Sequence, residues 1–344
     1  MSSPQPLPQP VRPTQPAVPP MPALPALPQL PPLPMDVDVV RRATWVRVPS
    51  ALLRTARPRQ WVKNLLVFAA PLTGSELTAR QFEARGGSAL GGAALAFVAF
   101  TLASCAVYFV NDTVDAERDR QHPRKCRRPI ASGELSEGAA VTVAGLCLVA
   151  ALTLSLTAPG YGLTVAITAY LVTSFLYSLG LKHLAVLELV LVASGFVLRA
   201  LGGAASSQVP PSGWFVLVCS LGALLVATAK RHTELAGLGG PAAAHRPSLQ
   251  HYTASGLRVA QRVIALAMVA AYLAWALMEP DPRERVWHVA TLVPLVAALV
   301  RFDRLTSRGT TSHIEDLLIR DTWMILFELC WLVLFAVGFA APAM

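Results

Sequence analysis

The chain has 344 residues, 54% of them hydrophobic and only 14% charged, with a mean hydropathy of +0.50. That composition excludes an ordinary soluble domain and predicts an all-α, polytopic membrane protein. The net charge of +9 would suit nucleic acid, but the basic residues sit in short loops between apolar runs and form no folded patch interleaved with aromatics, which excludes that partner.

In chain order, Met1 to about Met35 holds half of all the prolines, in runs such as PALPALPQLPPLP. Such a tract favours polyproline II or disorder and cannot build a packed core. It also lacks the basic and apolar regions of a signal peptide. The expected organisation is a disordered proline-rich cytoplasmic tail over residues 1–39 and a transmembrane domain over 40–344.

The stretch from Arg54 to Pro71, RTARPRQWVKNLLVFAAP, combines a basic entry, an interfacial Trp61 and Lys63, and a short apolar run. Further spans are expected near Ser88–Asn111, Ala139–Thr157, Tyr161–Tyr177, Val186–Ala205, Trp214–Lys230, Val259–Met278, Val286–Val300 and Thr322–Ala340. Counting the run from Trp61, this gives about nine transmembrane helices, separated by turn-forming segments such as TAPGYG, SSQVPPSG and EPDPRER. With the N-terminus inside, inside segments hold 24 of the 29 Lys and Arg residues and outside loops hold four, Arg199 lying within a span. This asymmetry places the charged loops at the cytoplasmic side of a plasma (inner) membrane. Four of the five cysteines lie in apolar spans, Cys126 lies in a basic loop, and no CxxC spacing occurs. Neither a disulfide framework nor a zinc site is indicated.

The chemistry concentrates in Tyr108–Leu135, where eleven charged residues follow a long apolar run. Asn111, Asp115 and Asp119 recur every four residues, so a continuing helix would stack them on one face, neighbours about 6 Å apart. An amide and carboxylates are hard oxygen donors of the kind that hold Mg²⁺ while substrate phosphate oxygens and water complete the octahedron. Arg120, Arg124, Lys125, Arg127 and Arg128 follow at once and have the right charge for phosphate. A plain juxtamembrane loop whose charge only sets topology is the competing reading.

Three other inside segments could converge on this one: Tyr177–Glu188 with Lys182 and His183, Lys230–Glu234 with Arg231 and His232, and Arg246–Arg258. A lone histidine in such a place is more often an interface residue than a base. Arg199 stands inside an apolar span, where an unpaired guanidinium is costly and faces the bundle interior. Glu188 is on nearly the same face but about 16 Å away along the helix, so a helix-terminal carbonyl or Glu328 is the expected structural partner. Gly195, Gly202, Gly203 and Ala204 around it suit close helix packing.

The run Asn111-Asp112-x-x-Asp115-x-x-x-Asp119, the first segment RPRQWVKN and the nine apparent spans resemble the UbiA-type intramembrane prenyltransferase superfamily over the chain from about Arg54 onward. Most members have a second aspartate-rich motif after the fourth helix. Here that place reads YSLGLKHLAVLE, with Tyr177, Lys182 and a single carboxylate, Glu188. Together with DRxHPxKxxRPIASG, GFVLR and KRHTEL, this departure is similar to one branch, the actinobacterial decaprenyl-phosphate phosphoribosyltransferases.

The resemblance implies a UbiA-like bundle with a cytoplasm-facing site. There Mg²⁺ on Asn111, Asp112, Asp115 and Asp119 binds 5-phosphoribosyl diphosphate, and a polyprenyl phosphate accepts the pentose in making cell-wall arabinan precursors. Asp112, Asp115 and Asp119 would be catalytic. Lys63, Arg120, Lys125 and Arg128 would meet the donor phosphates and Lys182, Lys230 and Arg231 the acceptor, with Tyr177, Glu188 and Arg199 also in the substrate set. Membrane lipids are the remaining partners, and a homo-oligomer is left open. An aromatic prenyltransferase using a prenyl diphosphate and a non-enzymatic transporter are the alternatives. The transporter fits poorly, since its charges should line a through-path.

Because the tail offers no buried backbone or ligand set to the bundle, deleting Met1 to Met35 changes turnover by less than about twofold. Assay of the truncated and full chains in the same membranes, normalised to inserted protein, checks this.

Overall fold

The computed structural model describes residues 48–73, 87–238, 247–307 and 320–340, and the tail predicted over residues 1–39 lies outside them. All regular elements among these residues are helical. A short helix, α1, covers 48–56. The segment α2 is a 3-10 stretch, Pro58–Phe68, running on into Ala69–Thr73. Then come α3 (Gly87–Val114), α4 (Ala116–Arg120), α5 (Glu137–Ser155), α6 (Gly162–Leu179), α7 (Leu187–Ser207) and α8 (Gly213–Leu238). They are followed by α9 (Ala254–Met278), α10 (Pro282–Ala290), α11 (Leu292–Ser307) and α12 (Thr322–Ala340).

Among the described residues, seven helices are long and apolar enough to cross a membrane, one of them formed by α10 and α11 together, and Thr322–Gly338 is a shorter apolar helix. The run from Trp61, expected as a further span, is instead the 3-10 segment. It starts at Pro58, and the Trp61 indole N–H reaches back to the Ala56 carbonyl at 3.0 Å. The expected span Val286–Val300 is interrupted at Thr291, between α10 and α11. At the far end of the α11–α12 connection, Arg301 donates to Asp321 at 2.8 and 3.2 Å. That pairing holds the Asp321 carboxyl below the usual range, and the same carboxylate caps the start of α12 through Met324 N–H.

The helix α7 is the centre of the packing, in contact with α2, α3, α6 and α8. Small residues make this possible, as expected from its sequence. A Cβ on Gly203 would lie 2.0 Å from the Val67 carbonyl oxygen of α2, and one on Gly92 would lie 2.2 Å from the Ser206 carbonyl oxygen. Backbone therefore meets backbone on two sides of α7. Phe100, Leu163, Ile167 and Val67 fill the core beside it, all fully buried.

Arg199 closes this core. It is 5% exposed, and its partners are neutral: Nε donates to Asn64 Oδ1 (2.6 Å), Nη1 to the Gly195 carbonyl (2.6 Å), and Nη2 to Ser104 Oγ (3.1 Å) and Tyr170 OH (3.2 Å). The guanidinium also lies 4.6 Å from the Tyr170 ring centroid. Neither expected partner, a helix-terminal carbonyl or Glu328, is among these: the carbonyl is that of Gly195 in the middle of α7, and Asn64 is carried into the bundle by α2. One side chain thus ties α2, α3, α6 and α7 together.

Gly203→Ala should lower stability by about 1–3 kcal/mol or more, because backbone cannot move aside as a side chain would. Gly145→Ala, at a site with nothing within 4 Å of the added methyl, should hold or raise stability by about 0.5–1 kcal/mol. Thermal unfolding of both variants in one detergent separates them.

Candidate active site

The carboxylate run sits where α3 gives way to α4. The expected helix does not continue regularly: α3 ends at Val114, and Asp115 bends with φ −88° and ψ 0° before α4. The ladder nonetheless bridges the bend, since Asp115 N–H donates to Asn111 O at 2.9 Å and Asp119 N–H to Asp115 O at 2.8 Å. The three positions therefore stay on neighbouring turns while Asp115 tips outward. Asp112 and Asp119 are each 3% exposed.

The basic loop after α4 folds back over these carboxylates. Ile130 and Leu135 are its anchors, buried with Ala51, Cys105, Phe109, Ala116, Ala140 and Ala144 beneath the site. Gly133 turns the loop with φ +78°, a value that favours glycine. Ser136 then caps α5, accepting from Ala139 N–H at 3.3 Å. This fold-back delivers Arg128 Nη1 to both Asp112 Oδ1 (3.0 Å) and Asp119 Oδ2 (2.6 Å). Lys125 Nζ stands 3.9 Å from Asp119 and Arg118 3.4 Å from Asp115.

Two cations come from elsewhere in the chain. Lys182, on the turn between α6 and α7, lies 3.6 Å from Asp115 Oδ1. Arg57 donates to Asp112 Oδ1 at 2.5 Å and covers the Tyr108 ring at 5.1 Å from its centroid. Arg57 was not among the sequence candidates. Its only signal was the Arg-Pro dipeptide of RPRQWVKN, and its reach depends on a left-handed backbone (φ 52°, ψ 63°) that no pattern foretells. Five basic side chains thus pair with Asp112, Asp115 and Asp119. That surplus of positive charge suits an anionic ligand.

Other candidates fall differently. Arg120 faces outward to Glu117 (2.5 Å) and Glu137 (3.0 Å). Arg231 is 2% exposed, pairs with Glu234, and sets its Nε 3.4 Å from the fully buried Glu188. Lys63, Tyr177 and Lys230 are half-buried, on α2, α6 and α8 respectively. Arg199 belongs to the core described above. His232 is buried with Arg258 and Asp303 as its charged neighbours, away from the carboxylate run.

Among the described residues, no three His, Cys, Asp or Glu side chains stand together closely enough to hold a metal ion. Arg128 is the physical reason in this cluster, standing between Asp112 and Asp119. The donor chemistry still fits a hard cation. Every candidate ligand is an oxygen, and the buried Asn111 Oδ1 makes no hydrogen bond among the described residues.

The model of the UbiA prenyltransferase family matches residues 77–325. A decaprenyl-phosphate phosphoribosyltransferase of Mycolicibacterium smegmatis is 37% identical over 293 residues, covering 82% of this chain and 90% of that protein. Its namesake from Mycobacterium tuberculosis is 36% identical, covering 87% of this chain and 97% of that one. Among solved structures, a UbiA homologue from Archaeoglobus fulgidus bound to DMAPP and Mg²⁺ superposes with a TM-score of 0.64 at 16% identity, over 84% of this chain and 98% of that one. The match in fold agrees with the packing around α7, and the match in sequence runs through the carboxylate cluster; the chain is an integral membrane protein that belongs to the UbiA prenyltransferase family.

Proposed function

We propose that this chain transfers the 5-phosphoribosyl group of 5-phosphoribosyl diphosphate to a polyprenyl phosphate, decaprenyl phosphate in the relatives' name, and releases diphosphate. The observation that carries the reading is the likeness, at 34–37% identity over most of both chains, to enzymes named decaprenyl-phosphate phosphoribosyltransferase. The site chemistry supports it. Where α6 gives way to α7, the place of a second aspartate motif in prenyl-diphosphate enzymes of the superfamily, this chain has one carboxylate, the second residue of α7. That group, Glu188, is buried beside Arg231.

In this reading Asn111, Asp112, Asp115 and Asp119 hold Mg²⁺. The ion supplies positive charge to the departing diphosphate when it is bound. Arg57, Lys125 and Arg128 bind and orient the donor phosphates by charge-assisted hydrogen bonds, and Lys182, expected from the sequence to meet the acceptor, joins them in this reading because it lies 3.6 Å from Asp115. The acceptor is a phosphomonoester, already anionic near pH 7 because its second pKa is about 6. A strong general base is therefore unnecessary, in keeping with the absence of a Ser/His/Asp or Cys/His constellation in the sequence motifs. The positive-inside count supports chemistry at the cytoplasmic face, in this reading that of the plasma membrane, with the isoprenoid chain in the bundle. A role in arabinan precursor synthesis follows from the product.

One paired assay tests the reading. Purified protein with Mg²⁺ receives labelled 5-phosphoribosyl diphosphate and polyprenyl phosphate in one arm, and polyprenyl diphosphate and 4-hydroxybenzoate in the other. Label should enter the lipid in the first arm only. Turnover confined to the second would make the chain an aromatic prenyltransferase, and silence in both would revive the transporter.

The metal role has its own check. Asp115 is partly exposed and outside the buried core, so Asp115→Asn should fold and insert normally while losing Mg²⁺-dependent turnover, an amide being a much weaker partner for the ion. Near-normal activity with an unchanged Mg²⁺ requirement would remove Asp115 from the ligand set.

A further inference from the structure

The turn that carries Lys182 is strained at one residue. Val186, the last residue before α7, has φ 66° and ψ −53°, and Leu187 N–H donates across it to Ala185 O at 2.8 Å. This is a γ-turn of the rare hand, and a β-branched side chain at positive φ is a steric outlier. Such a conformation persists only where its surroundings hold it.

What holds it comes from another loop. Val186 N–H donates to the hydroxyl of Tyr252 at 2.7 Å. Tyr252 is itself fixed: its N–H donates to Leu249 O at 3.3 Å, and Leu249 is buried. The next residue, Thr253, caps α9 by accepting from Gly256 N–H at 3.0 Å. The described part of the connection before α9, residues 247–253, thus presents the Tyr252 hydroxyl to the turn between α6 and α7.

The effect of that bond reaches the site. From Val186 back to Gly180, short-range bonds stiffen the turn: Glu188 N–H to Leu184 O, Leu184 N–H to Leu181 O, and His183 N–H to Gly180 O. Lys182 lies within this stiffened turn, 3.6 Å from Asp115. A Val186 that relaxed to negative φ would redirect the chain between α6 and α7 and carry Lys182 with it.

We propose that Tyr252 is a positioning residue, whose hydroxyl holds Val186 in the strained turn and thereby keeps Lys182 against Asp115 at the donor site. The catalytic consequence rests on the phosphoribosyl-transfer reading above; the positioning itself does not. Tyr252 would act through Lys182 and touch no substrate.

The test uses the purified full chain and three variants: Tyr252→Phe, Val186→Gly, and the two combined. Limited trypsin digestion, with the Lys182–His183 cut followed by mass spectrometry, reads the turn directly. Tyr252→Phe should be cut about fivefold faster, the population shift expected on losing one ordinary hydrogen bond, with an unchanged thermal midpoint. Glycine adopts positive φ without the Cβ penalty, so adding Val186→Gly should return cleavage to the wild-type rate. The KM for 5-phosphoribosyl diphosphate should rise in Tyr252→Phe at constant kcat, by a smaller factor than the cleavage rate because it follows the fraction of chains that keep the turn, and should recover in the double variant.

Unchanged cleavage in Tyr252→Phe overturns the proposal. So does faster cleavage that persists in the double variant, because the hydroxyl would then act elsewhere than on Val186. If the wild-type protein transfers no phosphoribosyl group, the functional reading fails, and the cleavage series alone decides the positioning.

Discussion

Two carboxylates buried at one end of a membrane bundle must be paired with cations, and much of this end of the molecule follows from that requirement. Leaving a buried ion without its partner costs about 3–5 kcal/mol. Asp112 and Asp119 avoid it by sharing Arg128, while Asp112 also takes Arg57. Serving them requires the loop after α4 to fold back on Ile130 and Leu135, and requires the backbone at Arg57 to turn left-handed just before Pro58, where α-region geometry is disfavoured. Among the described residues, two of the three non-glycine positions with positive φ, Arg57 and Val186, thus lie in the segments that bring Arg57 and Lys182 to the carboxylates.

The two kinds of buried arginine in this fold solve the same problem differently. Arg199 is met by an amide, a backbone carbonyl and two hydroxyls that belong to four packed elements, so the bundle itself is built around it. Arg128 and Arg57 are about a third exposed and bind carboxylates. A phosphate can compete for these guanidiniums with the same bidentate chemistry. Exchange of partners is therefore open to Arg57 and Arg128, whereas the donors of Arg199 are taken up within the bundle.

Much of this was legible in the sequence because membrane constraints write themselves into long apolar runs. The boundaries of α5 to α7 lie within two residues of the expected spans, whereas α8 runs eight residues past Lys230 and α9 begins five residues before Val259; the four-residue spacing of Asn111, Asp115 and Asp119 survives in the hydrogen-bond ladder even though the helix bends at Asp115. The 3-10 character of α2 was hidden, because an amphiphilic run of that length fits an α-helix equally well; in the fold its Val67 backbone lies against Gly203. Long-range partners were hidden for a related reason. Arg57 and Asp112 are 55 residues apart, and Arg231 reads as a topology-setting cation until α7 brings Glu188 to it. Spacing shows which residues share a helix face; it carries no record of which loop comes over that face.

The imbalance of charge that remains speaks to the donor. Five cations pair with three carboxylates before any ligand arrives, and a divalent cation would add to the excess. A prenyl diphosphate brings one diphosphate and a long apolar chain to such a site. 5-Phosphoribosyl diphosphate brings the same group and also a phosphomonoester worth about −1.5 to −2 charges at pH 7, on a sugar that has almost no apolar surface to bury. On the proposed reading, the two extra cations correspond in size and sign to that second phosphate. The single carboxylate at the start of α7 agrees with it: beside Arg231, Glu188 is placed to balance an arginine, leaving the turn at Lys182 to face the donor as a positive charge.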